Sequence, residues 1–233
     1  MICKISPHPL FSQEGAKRIS YRSILLRLSL FTFFLLLAIS CDKPQVTSEE
    51  SGEIDVSREP VQVQYDSDEP IIIKVNDKSE VVITPMAEYK ISAILVSRKS
   101  YHDGWRSEVA PVDIALAWGS LAEPDYDKYI SYSQHDRWYS YECEAGSPFN
   151  SPFVISHSAN NHIIPANENI LRSIKTIKKK EKTLLEGFIV NVKGRHKGDA
   201  FWWNSSLKRT DTGDGSCEVF YVKRVRIGTK VYE

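Results

Sequence analysis

NENILRSIKTIKKKEKTLLEGFIVNV, residues 167–192, decides how this chain reads, because it passes from a helix into a strand with almost no connector. Asn167 stands where a helix cap is needed, and Ile170, Leu171, Ile174 and Ile177 recur at three- and four-residue steps. That spacing predicts a helix over residues 167–178 with one apolar stripe. Lys178, Lys179 and Lys180 follow at the negative end of its dipole. From Thr183 the pattern changes to TLLEGFIVNV, residues 183–192, a long run of β-branched and aromatic residues. A helix with a single apolar stripe, feeding such a strand, must bury that stripe on a sheet.

Working outward, CEVFYVKRVRI (217–227) predicts a second long strand and residues 201–207 another. Upstream, residues 61–65 alternate, and 71–75 and 81–84 flank Asn76, Asp77 and Lys78 as a hairpin. YKISAILVS (89–97) is the strongest strand of the first half, and RWYSYEC (137–143) alternates again. PVDIALAWG (111–119) reads as a second helix, with Pro in its first turn and Gly just past its end. The expected fold is α+β and strand-dominated: a curled sheet or partly closed barrel with two short-to-medium helices. The helix followed by KEKTLLEGFIVNV resembles small exported OB-like domains over about a quarter of the chain, which implies an OB-like form of that barrel.

The chain divides into three parts. In residues 1–41, Lys4, Lys17, Arg18, Arg22 and Arg27 precede LSLFTFFLLLAIS, thirteen uncharged residues. As a helix these span only ~20 Å, short of the ~30 Å hydrocarbon core, so they suit a signal sequence better than a permanent span. AISC, residues 38–41, resembles the lipobox of bacterial lipoproteins, which implies lipidation of Cys41 and cleavage before it. The alternative is an uncleaved N-terminal anchor. Asp42 resembles an inner-membrane retention signal, which implies an envelope protein facing the periplasm in a Gram-negative cell. Residues 42–60, DKPQVTSEESGEIDVSREP, are acidic and poor in large apolar groups, and predict a flexible tether reaching ~25 Å. Residues 61–233 are then one globular domain.

Cys3 falls in the leader and Cys41 at the lipidation site, leaving Cys143 and Cys217 in the domain. In an oxidising compartment these suggest a disulfide, with two independent buried thiols or a metal pair as the alternatives. Net charge is zero overall, but residues 42–170 carry 10 basic and 22 acidic side chains, and residues 171–233 carry 15 and 7. The two halves either neutralise each other or leave a basic end for an anionic envelope partner. Export argues against nucleic acid.

The most unusual stretch is ISHSANNHIIPAN, residues 155–167, expected as a loop between a strand and a helix. It gathers His157, Ser158, Asn160, Asn161 and His162, groups that both donate and accept, and these are the ligand-binding candidates. Their other reading is a loop held by its own Asx turns. Asp211, Asp214 and Glu218 lack calcium-loop spacing and read as a turn. Trp105, Trp118, Trp138, Trp202 and Trp203 serve either as sugar-stacking platforms or as core. No catalytic, metal or cofactor motif appears. PVDIALAWG, ISYSQHDRWY (130–139), SANNHIIPA (158–166) and SSLKRTDTGDGSCEVFYV (205–222) together resemble a family of uncharacterised bacterial proteins, exported or membrane-tethered. That resemblance implies a location and no activity. The expected function is a non-enzymatic ligand- or partner-binding envelope domain. Its rival is a glycan or peptide hydrolase using His157 or His162 as base, with Asp113 or Asp136 to orient it.

Overall fold

The computed structural model describes residues 43–66, 69–76, 79–208 and 217–233. The leader, Cys41 and the Asp211–Asp214 turn lie outside the described residues. Strands β1 to β12 are Ser48–Glu49, Val61–Gln64, Ile71–Asn76, Ser79–Ser100, Val112–Ala117, Ile130–His135, Trp138–Cys143, Ser158–Pro165, Lys182–His196, Asp199–Trp203, Glu218–Ile227 and Lys230–Tyr232. Three helices join them: α1 (Trp105–Val109), α2 (Ser151–His157) and α3 (Glu168–Thr176). The fold is α+β and strand-dominated, as the sequence pattern requires. No described helix is long and apolar enough to cross a membrane.

β4 has 22 residues and would extend ~70 Å if straight. Instead its register shifts between Pro85 and Ala87 and again between Leu95 and Ser97, so the strand bends. Pro85 has no N–H to offer a ladder, which suits it to the first bulge. β9 runs antiparallel to β4 across the first shift, from Val81↔Gly194 to Ile94↔Lys182, and the second shift lies in the β4–β5 ladder. β5 pairs antiparallel with β4 and β8, β8 runs parallel to β11, and β11 pairs antiparallel with β9. These pairings close a ring, β4–β5–β8–β11–β9. Gly187 permits the closure, because a Cβ there would lie 1.9 Å from the Tyr221 carbonyl oxygen on β11.

The ring strands contribute alternate side chains to one aliphatic core: Ile91, Ile114, Leu116, Ile163, Leu185 and Phe220 among them. Helix α3 lays Ile170 and Ile174 into this core, followed by Ile177. Asn167 caps it as expected, accepting from the Ile170 N–H at 3.0 Å. Arg98 donates to the Ile174 and Ile177 carbonyls at its other end.

Three expectations are corrected. Residues 111–119 form strand β5, not a helix. All six residues of β5 are buried, because it lies between β4 and β8 with both faces covered. An apolar run this short cannot be assigned from periodicity when both faces are buried. Residues 43–60, expected as a flexible tether, are laid on the domain. β1 pairs with β12, Ile54 and Val56 enter a second apolar cluster, and the Gly119 N–H donates to the Val56 carbonyl at 2.8 Å. Arg226, buried, clasps the Glu50, Ser51 and Gly52 carbonyls. Two apolar side chains and a row of backbone bonds suffice to seat a segment whose composition reads as solvated. Finally, no disulfide joins Cys143 and Cys217. Cys217 lies beside Asn160 at the turn end of the β6–β7 hairpin, whereas Cys143 ends β7, five residues beyond Trp138. That separation is ~17 Å along the strand, and a disulfide needs Cα atoms within ~7 Å.

Candidate functional site

The expected loop 155–167 resolves into the end of α2, the whole of β8 and the cap of α3. α2 starts at Asn150, whose side chain accepts from the Phe153 N–H at 3.0 Å, with Pro152 in its first turn. It stops at His157. That imidazole stacks on Phe153 at 4.0 Å between centroids, its Nδ1 lies 3.0 Å from the Phe153 carbonyl, and its own carbonyl accepts from the Trp118 N–H. His157 therefore terminates a helix. About 16 Å of strand separates it from His162, so the two histidines form no shared site.

β8 then passes between β5 and β11, and strand alternation splits the remaining candidates between two faces. Asn161 points into the core face beside Ile114 and Glu218; it is fully buried, and its Oδ1 has no hydrogen-bond partner among the described residues. Ser158, Asn160 and His162 point the other way. The β6–β7 hairpin meets Ser158 and Asn160 of this outer row with polar groups. Tyr139 hydroxyl bonds Ser158, whose own hydroxyl donates to the Val154 carbonyl at 2.7 Å. Burial pushes the Tyr139 phenol far above its ordinary range, with the Ser158 contact opposing, so it stays protonated and neutral. Gln134 donates to Asn160 Oδ1 at 2.6 Å, and Asn160 Nδ2 donates to the Arg137 carbonyl at 3.2 Å.

At the end of the row Asp113, opposite His162 in the β5–β8 register, collects two cationic or potentially cationic neighbours. Arg137 Nη1 donates to Asp113 Oδ1 at 2.7 Å and to the Ala110 carbonyl at 2.8 Å. His162 Nδ1 lies 2.9 Å from the same oxygen, but out of line for a hydrogen bond. Asp113 is fully buried and His162 nearly so. Arg137 occupies the hairpin turn with Asp136, at φ 70° and 48°, a conformation that Asn-Gly would adopt with less strain. The strain is over-determined by contacts: the Arg137 N–H donates to the Tyr101 hydroxyl, its guanidinium lies 3.8 Å from the Tyr101 ring, and its carbonyl and side chain are held as above. Asp136, the other suggested orienter, is exposed and lies 3.7 Å from His135, outside this cluster.

Aromatic side chains roof the cluster. Trp203 on β10 leans on His162 at 4.6 Å and meets Trp105 of α1 edge-on at 6.0 Å; Trp105 stacks on Phe201. The exposed Arg106 guanidinium lies 5.3 Å from the Trp105 ring and 5.5 Å from the Trp203 ring. Sequence reasoning named His162 and Asp113 but missed Arg137, Gln134 and Arg106, which are scattered over 31 positions and meet only through the hairpin and α1. Chemically, a directed His–carboxylate pair would be needed to tune a base, and here the carboxylate is committed first to Arg137. Among the described residues, no group of three His, Cys, Asp or Glu is placed to hold a metal ion. Comparison with family models, curated proteins and solved structures finds no match to this chain.

Proposed function

We propose that this chain is a lipid-tethered envelope protein whose domain binds an anionic, hydroxyl-rich envelope ligand on the Trp105–Arg106–Trp203 surface. The observation that carries the reading is Arg106: an exposed guanidinium set against two indoles. A planar cation on an aromatic support is partly relieved of competing water and keeps its N–H fork for a carboxylate or phosphate. The half-buried indoles beside it supply apolar surface for sugar C–H groups. The β8 row beneath acts as a frame, because its polar groups are spent inside the fold. Cys41 is read as the lipid attachment, with the mature chain held at the inner membrane and facing the periplasm. The hydrolase alternative draws on the His162–Asp113 contact, and it is disfavoured by the burial of both groups under Trp203.

The test is a tryptophan-fluorescence titration of the full chain in detergent against muropeptides and anionic oligosaccharides. Saturable quenching is expected, weakened about tenfold or more by Arg106→Ala, a change at an exposed side chain that leaves the fold intact. Absence of quenching by any probe, or quenching indifferent to Arg106→Ala, would refute the proposal. Hydrolysed products in the same samples would transfer the case to the rival reading.

A further inference from the structure

Exposed lysines from three separate segments collect at one end of the domain. Lys175 is on the last turn of α3, and Lys178, Lys179 and Lys180 follow it; Lys230 opens β12; Lys43 begins the described chain. A groove of about 590 Å³ brings these segments together, with walls from Pro44 and Val46, from Thr176 and Glu181, and from Gly228 and Thr229. The helix dipole accounts for one or two cations at the end of α3, but not for Lys43 and Lys230, which arrive on other elements. Glu181 within the cluster is turned to accept from the Lys178 N–H at 2.7 Å, and Glu49 faces Lys230 across the β1–β12 ladder.

The chain enters the domain at this same end. Asn169 of α3 grips Gln45 like a strand edge, accepting from its N–H at 2.6 Å and donating to its carbonyl at 2.9 Å. The tether therefore shrinks from the nineteen residues that composition suggests to the two peptide units between Cys41 and Lys43, a reach of ~7 Å. Resting on the lipid-anchor reading of the previous section, we infer that the lysine-rich end around α3 is a docking face for an anionic phospholipid surface. The short tether supplies proximity and orientation, and the lysines supply attraction to the headgroups within a Debye length. The Arg106 surface is contributed by other elements, α1 and β10, and stays available for ligand.

The full chain, reconstituted into vesicles of phosphatidylcholine alone or with phosphatidylglycerol, is labelled with an amine-acylating reagent and mapped by mass spectrometry. With phosphatidylglycerol, labelling of Lys178, Lys179, Lys180 and Lys230 is expected to fall about fivefold and to recover in high salt. Lys197, beyond the opposite end of β9, should be unchanged. A chain carrying Lys178→Gln, Lys179→Gln and Lys180→Gln should lose the protection at Lys230. Equal labelling in the two vesicle types overturns the inference. The same digests report the mass of the Cys41 peptide, which separates the two readings. An unmodified Cys41 with protected lysines defeats the lipid anchor and leaves the docking face standing. A diacylated Cys41 with unprotected lysines does the reverse.

Discussion

On the inner side of β8, Ala159 and Ile163 pack into the aliphatic core of the ring; on the outer side, Ser158, Asn160 and His162 meet Tyr139, Gln134 and the Arg137–Asp113 pair. Both faces are buried, the inner one by apolar contact except at Asn161, the outer one by polar groups that bond one another in part. The inner face gains from any apolar side chain of the right volume. The outer face needs each donor to keep its acceptor, since an orphaned buried polar atom costs more than the bond contributes. Tolerance to substitution should therefore differ sharply between faces that exposure alone cannot tell apart.

The largest effect is expected where the ring closes. Gly187→Ala puts a methyl 1.9 Å from a backbone oxygen that no rotamer change can move. More than ~4 kcal/mol should be lost, seen in urea titrations as the absence of a cooperative transition. Next comes the outer face. Asp113→Ala strands Arg137, and beside it His162, and should cost ~3–5 kcal/mol, whereas Asp113→Leu with Arg137→Met should recover most of that loss. Failure of the double variant to recover would mean that the pair specifies the hairpin's position rather than merely balancing charge. Asn160→Ala leaves Gln134 and the Arg137 carbonyl without their partner and should cost ~1–3 kcal/mol. A cost below that of an inner Ile163→Val change, ~0.5–1.5 kcal/mol, would break the comparison.

The smallest effect concerns Glu186 on the ring's solvent side. Burial alone would raise its pKa, but hydrogen bonds from Lys90 and Arg224 outweigh it and hold the carboxyl below its ordinary value. A depressed folded pKa stabilises above the unfolded value of about 4.5 and is lost as pH falls through the folded one. Glu186→Gln should flatten the acid limb of stability by on the order of 0.5–1 kcal/mol after solvent screening, as read from melting temperatures between pH 6 and 3.

Elements with a clear period or a long β-branched run were legible in the sequence. The α3 stripe and its Asn167 cap, the hairpin over residues 71–84 and β7 follow from spacing and alternation, and β9 and β11 from the length and composition of their runs. Legibility failed in short runs where both faces are covered. β5 reads as a helix because VDIALA has no polar side to reveal a period of two, and β8 reads as a loop because its outer face is polar although buried. The site was half legible for the same reason. His162 and Asp113 stand out as chemistry-bearing residues, but Arg137 sits in an unremarkable turn, and nothing local announces its pairing with Asp113. His157 drew notice by its neighbours and proves to be a helix end.

The partners of residues 43–60 carry a kinetic consequence. Among the described residues β1 finds its ladder only on β12, and Thr47 bonds Val231, 184 positions later. Arg226 must also be in place before the Glu50–Gly52 carbonyls have anything to grip. A chain made N-terminus first thus presents residues 43–60 early, yet cannot seat them until the final strand has emerged. Until then the segment stays open to proteases. Its seating closes the fold, so its resistance to cleavage becomes a report on whether synthesis and folding have finished.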